Sequence, residues 1–190
     1  MSSPVAITED QARARARARK VQWIAAAVAV VVTALIIALA TRPEASSKVS
    51  QNPLIGEEAP NFQGIALDGR KVNLADMRGR YVIVNFFATW CGPCRQEHPE
   101  MKAFAETHTQ PLQPTFIAVA YDKNDVSNAR SFFAQYGGTW PVLPDDGSRI
   151  AVDYGVRGLP ESFVVDPHGN ITARITGALT QEQIKTLTSS

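Results

Sequence analysis

The only two cysteines of the chain, Cys91 and Cys94, lie two residues apart in the segment "ATWCGPCRQEH" (88–98). A disulfide between them would close a very short loop, so it would restrict the unfolded chain little. Small secreted domains that depend on disulfides space their cysteines widely. Three interpretations remain: a redox-active dithiol, part of a metal site, or an inert pair in a buried core.

A metal site is disfavoured because the chain has too few ligands. Structural zinc is held by four Cys or His ligands. The chain has three histidines and no second CxxC motif, and only His98 has helical spacing from Cys94. Haem attachment requires a histidine directly after the second cysteine, where this chain has Arg95. We therefore expect no metal and no other cofactor.

The segments around the two cysteines favour the redox interpretation over the inert pair. The near-continuous apolar run "YVIVNFFA" (81–88) is typical of a strand buried on both faces, and a helix is predicted to follow it. Free N–H groups at a helix start favour negative charge, which lowers the pKa of a cysteine placed there. We expect Cys91 to be the exposed nucleophile and Cys94, one turn further, to resolve its mixed disulfides. Pro93 is compatible with the first helical turn.

The region from residue 54 to 190 is predicted to be one small α/β domain, because predicted strands and helices alternate along it. A hairpin is predicted at 62–74, with its turn at Asp68-Gly69. The helix after the CGPC is predicted to end near His108. Further strands are predicted at 114–121, 161–166 and 170–176, and further helices at 125–137 and 180–187, the last capped by Thr180.

The N-terminal segments predict a membrane anchor. Residues 1–20 end in "ARARARARK", and residues 21–40 contain no charge. Twenty apolar residues are enough to cross a bilayer as a helix, and the arginines predict that the N-terminus stays in the cytoplasm. Residues 41–53 are interpreted as a polar linker to an extracytoplasmic domain, in a single-pass protein of the cell membrane. The alternative is a cleaved signal peptide, since Ala38-Leu39-Ala40 has the form of a cleavage site.

The charge is unevenly distributed along the chain. The net charge is +1, from 19 Lys and Arg against 18 Asp and Glu. Up to residue 42 there are six basic and two acidic residues, which leaves thirteen basic and sixteen acidic residues after it, a net −3. The basic excess belongs to the N-terminus, and no basic surface with interleaved aromatic residues is indicated. Nucleic acid is therefore not an expected partner.

The segment "NFFATWCGPCRQEHPEM" (85–101) resembles the thioredoxin superfamily, and the resemblance extends over nearly all of 54–190. The segment "YGVRGLPESFVVDPHGNI" (154–171) is similar to the second half of that fold, where a loop places a cis-proline, here Pro160, beside the CxxC. The resemblance implies an α/β thioredoxin fold, with a mixed central sheet flanked by helices and an N-terminal β-hairpin extension. Here one transmembrane helix would precede that domain.

Within the superfamily the chain is most similar to the TlpA/ResA/DsbE (CcmG) group of membrane-anchored thiol–disulfide oxidoreductases. Two of the shared features are the hairpin and an insertion at 136–156. The third is the position of the acidic residues near the CxxC. Cytoplasmic thioredoxins carry Asp six residues before the first cysteine, where this chain has Asn85. The group instead carries Glu six residues after that cysteine, and its cytochrome-maturation members carry Glu after the cis-proline. Glu97 and Glu161 match these two positions.

The resemblance implies that Glu97 is a catalytic residue together with the two cysteines. A carboxylate near Cys94 can accept its proton if burial raises the carboxyl pKa; the alternative is a solvated charge on the helix. For Glu161 the alternative is a surface residue on an edge strand. Trp90 is expected to shield the dithiol or to pack at the strand end. The residues expected to support substrate binding are Trp90, Gly92, Pro93, Leu159, Pro160 and Glu161.

The resulting hypothesis is an extracytoplasmic enzyme that reduces disulfides of protein substrates. The resemblance implies apocytochrome c as substrate and a membrane thiol donor of the DsbD/CcdA type. The spacer of CGPC matches that of thioredoxin, which favours reduction. The alternatives are an oxidase of secreted proteins, a thiol peroxidase, and a non-catalytic binding module with a thioredoxin fold.

Overall fold

The computed structural model divides the chain into two units, residues 1–44 and 45–190. In the first unit, residues 22–23 and 25–37 are helical. No helix among the described residues combines the length and the apolar character that crossing a bilayer requires. The predicted basic segment and most of the predicted linker lie outside the described residues. The described residues are 22–23, 25–37, 48–49, 53–121 and 126–189.

The second unit is built around a six-stranded mixed sheet. Its strands are β1 (Lys48–Val49), β4 (Val82–Phe87), β5 (Thr115–Ala120), β6 (Val142–Pro144), β7 (Glu161–Val165) and β8 (Ile171–Thr176). Their order is β1-β8-β7-β4-β5-β6. β5 is parallel to both β4 and β6, whereas β7 is antiparallel to both β4 and β8. The predicted mixed sheet and thioredoxin-like α/β fold are thereby confirmed.

Helices cover both faces of this sheet. They are α1 (Gly92–Thr107), α2 (Val126–Tyr136), α3 (Arg149–Asp153) and α4 (Gln181–Leu187). Thr180 caps α4 as predicted, with reciprocal hydrogen bonds between Thr180 and Gln183. Residue 125, where the second helix was predicted to begin, lies outside the described residues.

The predicted hairpin is present as a separate antiparallel pair, β2 (Gln63–Ile65) and β3 (Lys71–Asn73). Gly69 has φ +87° in its turn, a conformation that glycine adopts without steric cost. The Leu67 N–H donates to the Val142 carbonyl at 2.8 Å, which ties the hairpin to the end strand β6.

The insertion at 136–156 contains two elements that the sequence did not predict, β6 and α3. A three-residue strand that ends in proline and a five-residue helix are both too short for a hydrophobic period. α3 is stabilised at its start by Asp145, whose carboxylate accepts hydrogen bonds from the N–H groups of Ile150 and Ala151, both at 2.9 Å.

The side chains of β4 alternate between two apolar layers, which places the polar groups of the site. Ile83 and Phe87 belong to the layer that contains residues of α1, α2 and α4. Val84 and Phe86 belong to the layer that contains residues of the hairpin and α3. By this alternation Asn85 faces α1, where the CxxC is located.

Candidate active site

Cys91 and Cys94 form a disulfide at the N-terminus of α1, with their Cα atoms 5.2 Å apart. Cys91 is the N-cap residue, and its Sγ accepts a hydrogen bond from the Cys94 N–H at 3.3 Å. Pro93 lies in the first turn, where the missing N–H has no cost. The predicted order of buried strand, CxxC and helix is confirmed.

The expectation of an exposed nucleophile requires a correction. Only 5% of Cys91 and 3% of Cys94 is exposed, whereas Trp90 beside them is 71% exposed. The Cys91 sulfur is bonded to the Cys94 sulfur, accepts the Cys94 N–H, and belongs with Cys94 to the buried apolar cluster, so little of it reaches solvent. In this disulfide state Cys91 is reached from a groove.

This groove has a volume of about 490 Å³, and both predicted parts of the site, the CGPC segment and the loop before Pro160, contribute to its walls. It is lined by Trp90, Cys91, Gly92 and Pro93 from one segment and by Leu159 from the other. A further wall was not predicted: it comes from the insertion and includes Val152 of α3, which is 72% exposed. The remaining lining residues are Tyr121, Ser148, Ala151, Val156, Arg157 and Gly158.

The peptide bond between Leu159 and Pro160 is cis, as the resemblance implies. The Pro160 carbonyl accepts a hydrogen bond from the Gly177 N–H at 3.0 Å. Pro160 has no N–H to donate, and β7 begins at the next residue. The loop that carries this proline therefore borders both the groove and the central sheet.

Glu97 is buried behind the disulfide, so a solvated helix position is excluded. It is 1% exposed, and its two oxygens accept hydrogen bonds from Asn85 Nδ2 and from the Leu179 N–H, both at 2.9 Å. Asn85 Nδ2 also donates to Ser162 Oγ at 2.9 Å. Burial raises the pKa of Glu97 to about 7, against the opposite effect of the two hydrogen bonds.

Glu97 and Cys94 line one small cavity, together with Asn85 and His98 among others. His98 is buried, its Nε2 lies 2.8 Å from the Gly137 carbonyl oxygen, and burial lowers its pKa. Within the described part of the chain no cluster of three or more His, Cys, Asp or Glu is suited to hold a metal. The arrangement therefore places a buried carboxyl group and Cys94 at one small cavity.

Glu161 is not on an edge strand, which corrects the alternative considered for it. β7 lies between β4 and β8, and Glu161 is 1% exposed. One of its oxygens pairs with Arg174 Nε, and the other accepts a hydrogen bond from the Arg157 N–H at 3.0 Å. This buried ion pair thus holds the loop before Pro160.

Arg174 was missed by sequence reasoning, because "NITARIT" resembles a half-exposed strand. The predicted pairing of β7 with β8 could have indicated that Arg174 lies near Glu161. Arg174 is directly opposite Phe163, two residues from Glu161 on the same strand, so the three side chains share a face. The Arg174 guanidinium also lies 5.9 Å from the centre of the Phe163 ring.

Comparison with known proteins agrees with this geometry. The Redoxin family model matches residues 54–189. The chain belongs to this family. A thiol–disulfide oxidoreductase ResA of Bacillus thuringiensis (strain Al Hakam) is 39% identical over 131 residues, which cover 69% of this chain and 75% of that protein.

Two solved structures from Chlorobium tepidum are also similar. A thiol:disulfide interchange protein of the thioredoxin family has a TM-score of 0.63 at 30% identity, covering 74% of this chain and 97% of that one. A putative thiol:disulfide interchange protein DsbE has a TM-score of 0.63 at 28% identity, covering 73% and 96%. The predicted membership of the thioredoxin superfamily and the predicted enzyme class, thiol–disulfide oxidoreductase, are confirmed.

Proposed function

We propose that this enzyme reduces disulfides of protein substrates on the extracytoplasmic side of the cell membrane. The observation that carries the proposal is the placement of the disulfide between two different environments. Cys91 borders an open, largely apolar groove that a polypeptide can enter, while Cys94 borders a buried cavity that also contains Glu97. The nucleophile thus faces substrate, and the resolving thiol faces a proton acceptor.

The reaction follows from this arrangement. In the reduced enzyme the Cys91 thiolate attacks one sulfur of the substrate disulfide, which forms a mixed disulfide and releases one substrate thiolate. Cys94 then gives up its proton, for which Glu97 is the nearby acceptor, and attacks the Cys91 sulfur. The substrate leaves with both cysteines reduced, and the enzyme keeps the Cys91–Cys94 disulfide. Two electrons have moved from enzyme to substrate, and a thiol donor must replace them.

Apocytochrome c is the proposed substrate class, before haem attachment. The support is the resemblance of Glu97 and Glu161 to the acid positions of the cytochrome-maturation members, and the similarity to proteins named ResA and DsbE. The donor is a membrane thiol protein of the DsbD/CcdA type. No nucleic acid takes part.

The direction of electron flow is tested by the reduction potential of the Cys91–Cys94 pair in a glutathione buffer. Thioredoxin and the oxidant DsbA differ by about 150 mV. A value near that of thioredoxin is expected, since both have the Gly-Pro spacer. A value near that of DsbA would instead support the oxidase of secreted proteins.

Trapping experiments test the roles of the two cysteines. Cys94→Ser should accumulate mixed disulfides through Cys91, whereas Cys91→Ser should trap little substrate; both are read on non-reducing gels. Equal trapping by the two variants would contradict the assignment. Full biological activity of the double Cys→Ser variant would support a non-catalytic module, and rapid peroxide turnover by the parent would support a peroxidase.

The membrane tether rests on the charge-free run at 21–40 and the arginines before it. Cell fractionation should place the mature protein in the membrane, and N-terminal sequencing should recover this run. A soluble mature form that begins at Thr41 would show that the run is a cleaved signal peptide.

A further inference from the structure

The groove beside Cys91 differs in charge from the domain that contains it. After residue 42 the chain has thirteen basic and sixteen acidic residues, a net charge of −3. Among the described residues that line the groove, Arg157 is the one charged side chain, and none carries a carboxylate. A cleft with charge of one sign attracts ligands of the opposite sign and suppresses the binding of others. The groove is therefore suited to an anionic group of the substrate.

The Arg157 side chain is exposed, and no salt bridge between described residues involves it. Arg157 also lines a second open pocket of about 360 Å³, which contains Pro160, Glu161 and Arg174. Both oxygens of Glu161 are already engaged, one by Arg174 and the other by the backbone N–H of Arg157. The positive charge of the Arg157 side chain thus remains uncompensated where the two pockets share their lining.

The backbone of Arg157 is held in place although its side chain is exposed. Its N–H donates at 3.0 Å to Glu161, which is 1% exposed and paired with the buried Arg174. A cation that starts from a fixed backbone position loses less conformational freedom when it binds a partner. A substitution such as Arg157→Gln removes the charge and keeps this backbone hydrogen bond.

The other walls of the groove indicate what accompanies the anionic group. Trp90 and Val152 are 71% and 72% exposed, and both line the groove together with Leu159. The groove volume of about 490 Å³ falls in the range of about 300–1,000 Å³ that is typical of ligand pockets. One cation between exposed apolar side chains matches a polypeptide segment in which a carboxylate lies beside an apolar residue.

We propose that Arg157 selects polypeptide substrates that carry an Asp or Glu side chain close to the disulfide that Cys91 attacks. This inference deepens the proposed function and rests on it. The substrate carboxylate pairs with the Arg157 guanidinium, whose planar N–H groups match a carboxylate in a bidentate geometry. The apolar neighbour of that carboxylate contacts Trp90 and Val152. The thiol–disulfide exchange itself is unchanged, and Arg157 acts by holding the substrate sulfur beside Cys91.

The selection is tested with three synthetic disulfide-bonded peptides that differ in one residue beside the cysteine, which is Glu, Gln or Lys. The second-order rate constant for reduction of each peptide by the reduced parent protein is measured at low ionic strength. Each value is divided by the rate constant with dithiothreitol, so that the intrinsic reactivity of the peptide disulfide cancels. The Glu peptide should react about two- to fivefold faster than the Gln peptide, the range that one exposed ion pair provides, and the Lys peptide should be slowest. High salt should weaken this preference, because it screens the pairing.

Two substitutions of Arg157 assign the preference to its side chain. Arg157→Gln should abolish the preference for the Glu peptide over the Gln peptide, and Arg157→Glu should make the Lys peptide the fastest. The matched control is Arg149→Gln, which removes one exposed positive charge from the start of α3 and lines neither pocket. It should keep the preference of the parent. Because the peptides are compared within one protein, a general loss of activity in a variant cancels.

The outcomes separate this inference from the proposed function. Equal relative rates for the three peptides in the parent would overturn selection by Arg157 and leave disulfide reduction standing. A preference that survives in Arg157→Gln, or that is lost equally in Arg149→Gln, would also overturn it. If the reduced parent releases no thiol from any of the peptides, the proposed reduction itself is overturned, and the selection with it.

Discussion

Two fully buried carboxylates lie on opposite faces of the central sheet, and their surroundings differ in one respect. Glu161 is paired with the Arg174 guanidinium and also accepts an N–H from the loop before Pro160. Among the described residues, Glu97 accepts hydrogen bonds only from neutral donors, the Asn85 amide and the Leu179 N–H. Both side chains are 1% exposed, so burial alone does not distinguish them.

The presence or absence of a cationic partner changes what a buried carboxylate can do. A buried charge that is paired and hydrogen-bonded is compensated in place, and its loss is felt mainly as stability. A buried carboxyl without a cation holds its proton up to a higher pH, because desolvation penalises its charged form. Glu161 accordingly holds the loop before Pro160, whereas Glu97 is the carboxyl to which the proposed function assigns proton exchange with the dithiol.

The largest predicted effect comes from removing the cationic partner of Glu161. Arg174→Met leaves Glu161 buried without its partner and should lower the free energy of unfolding by about 3–5 kcal/mol, measured by urea denaturation at pH 7. The matched control is Lys102→Met, which removes an exposed pair with Glu106 and should cost about 0–1 kcal/mol. Adding Glu161→Gln to Arg174→Met should recover part of the loss. A cost for Arg174→Met as small as that of the control would show that the pair is not a structural tether.

The second prediction concerns the pH dependence of stability that arises from Glu97, the buried carboxyl whose hydrogen-bond donors are neutral. The pKa of Glu97 is raised from 4.5 to about 7, so the native state retains a proton that the unfolded chain has lost. Between pH 4.5 and 7 the unfolded chain therefore binds fewer protons, and the free energy of unfolding falls as pH rises. A shift of about 2.5 pH units corresponds to a loss of about 3 kcal/mol.

Urea denaturation of the oxidised protein across pH 4 to 9 measures this loss. In Glu97→Gln the fall between pH 4.5 and 7 should disappear. The variant should be less stable than the parent at pH 4, because the amide nitrogen of Gln cannot accept a hydrogen bond, whereas the hydroxyl oxygen of the protonated carboxyl can. The difference should narrow or reverse above pH 7. Parallel pH curves for parent and variant would contradict the raised pKa.

Much of the fold and of the site could be predicted from the sequence where the signals are local. The near-continuous apolar run before Cys91 and the Thr180 cap both correspond to elements found in the structure. The insertion elements β6 and α3 were missed because they are held by tertiary contacts, such as the carboxylate of Asp145, rather than by a hydrophobic period. The partner of Glu161 was missed for the same reason, since Arg174 is thirteen residues away in the chain and adjacent only across the paired strands.

The third prediction tests whether Glu97 accepts the proton of Cys94 in the resolving step. Glu97→Gln should slow the resolving step near neutral pH by about a hundredfold, the lower end of what a positioned acid or base contributes. It should also remove or shift one step in the pH profile of Cys91 alkylation, since interacting groups titrate together. The matched control is Glu100→Gln on the same helix, an exposed residue that accepts the Gln181 N–H at 3.0 Å. Equal rates and profiles for the parent and Glu97→Gln across pH 5 to 10 would show that Glu97 does not handle the proton.

The smallest predicted effect concerns Thr180, the residue after Leu179, whose N–H hydrogen-bonds Glu97. Thr180 Oγ1 accepts the Gln183 N–H at 3.3 Å and caps α4, directly after the Leu179 N–H that hydrogen-bonds Glu97. Thr180→Ala should lower the free energy of unfolding by about 1 kcal/mol through the lost cap. A looser helix start should also weaken the Leu179 hydrogen bond to the carboxylate, which raises the pKa of Glu97 further and moves the pH profile of the resolving step upward. Thr186→Ala on the same helix is the matched control, because its hydroxyl is exposed, donates to the Glu182 carbonyl and caps nothing. A profile that moves equally in both variants, or that stays unchanged in Thr180→Ala despite the lost stability, would show that the α4 cap does not influence the carboxyl.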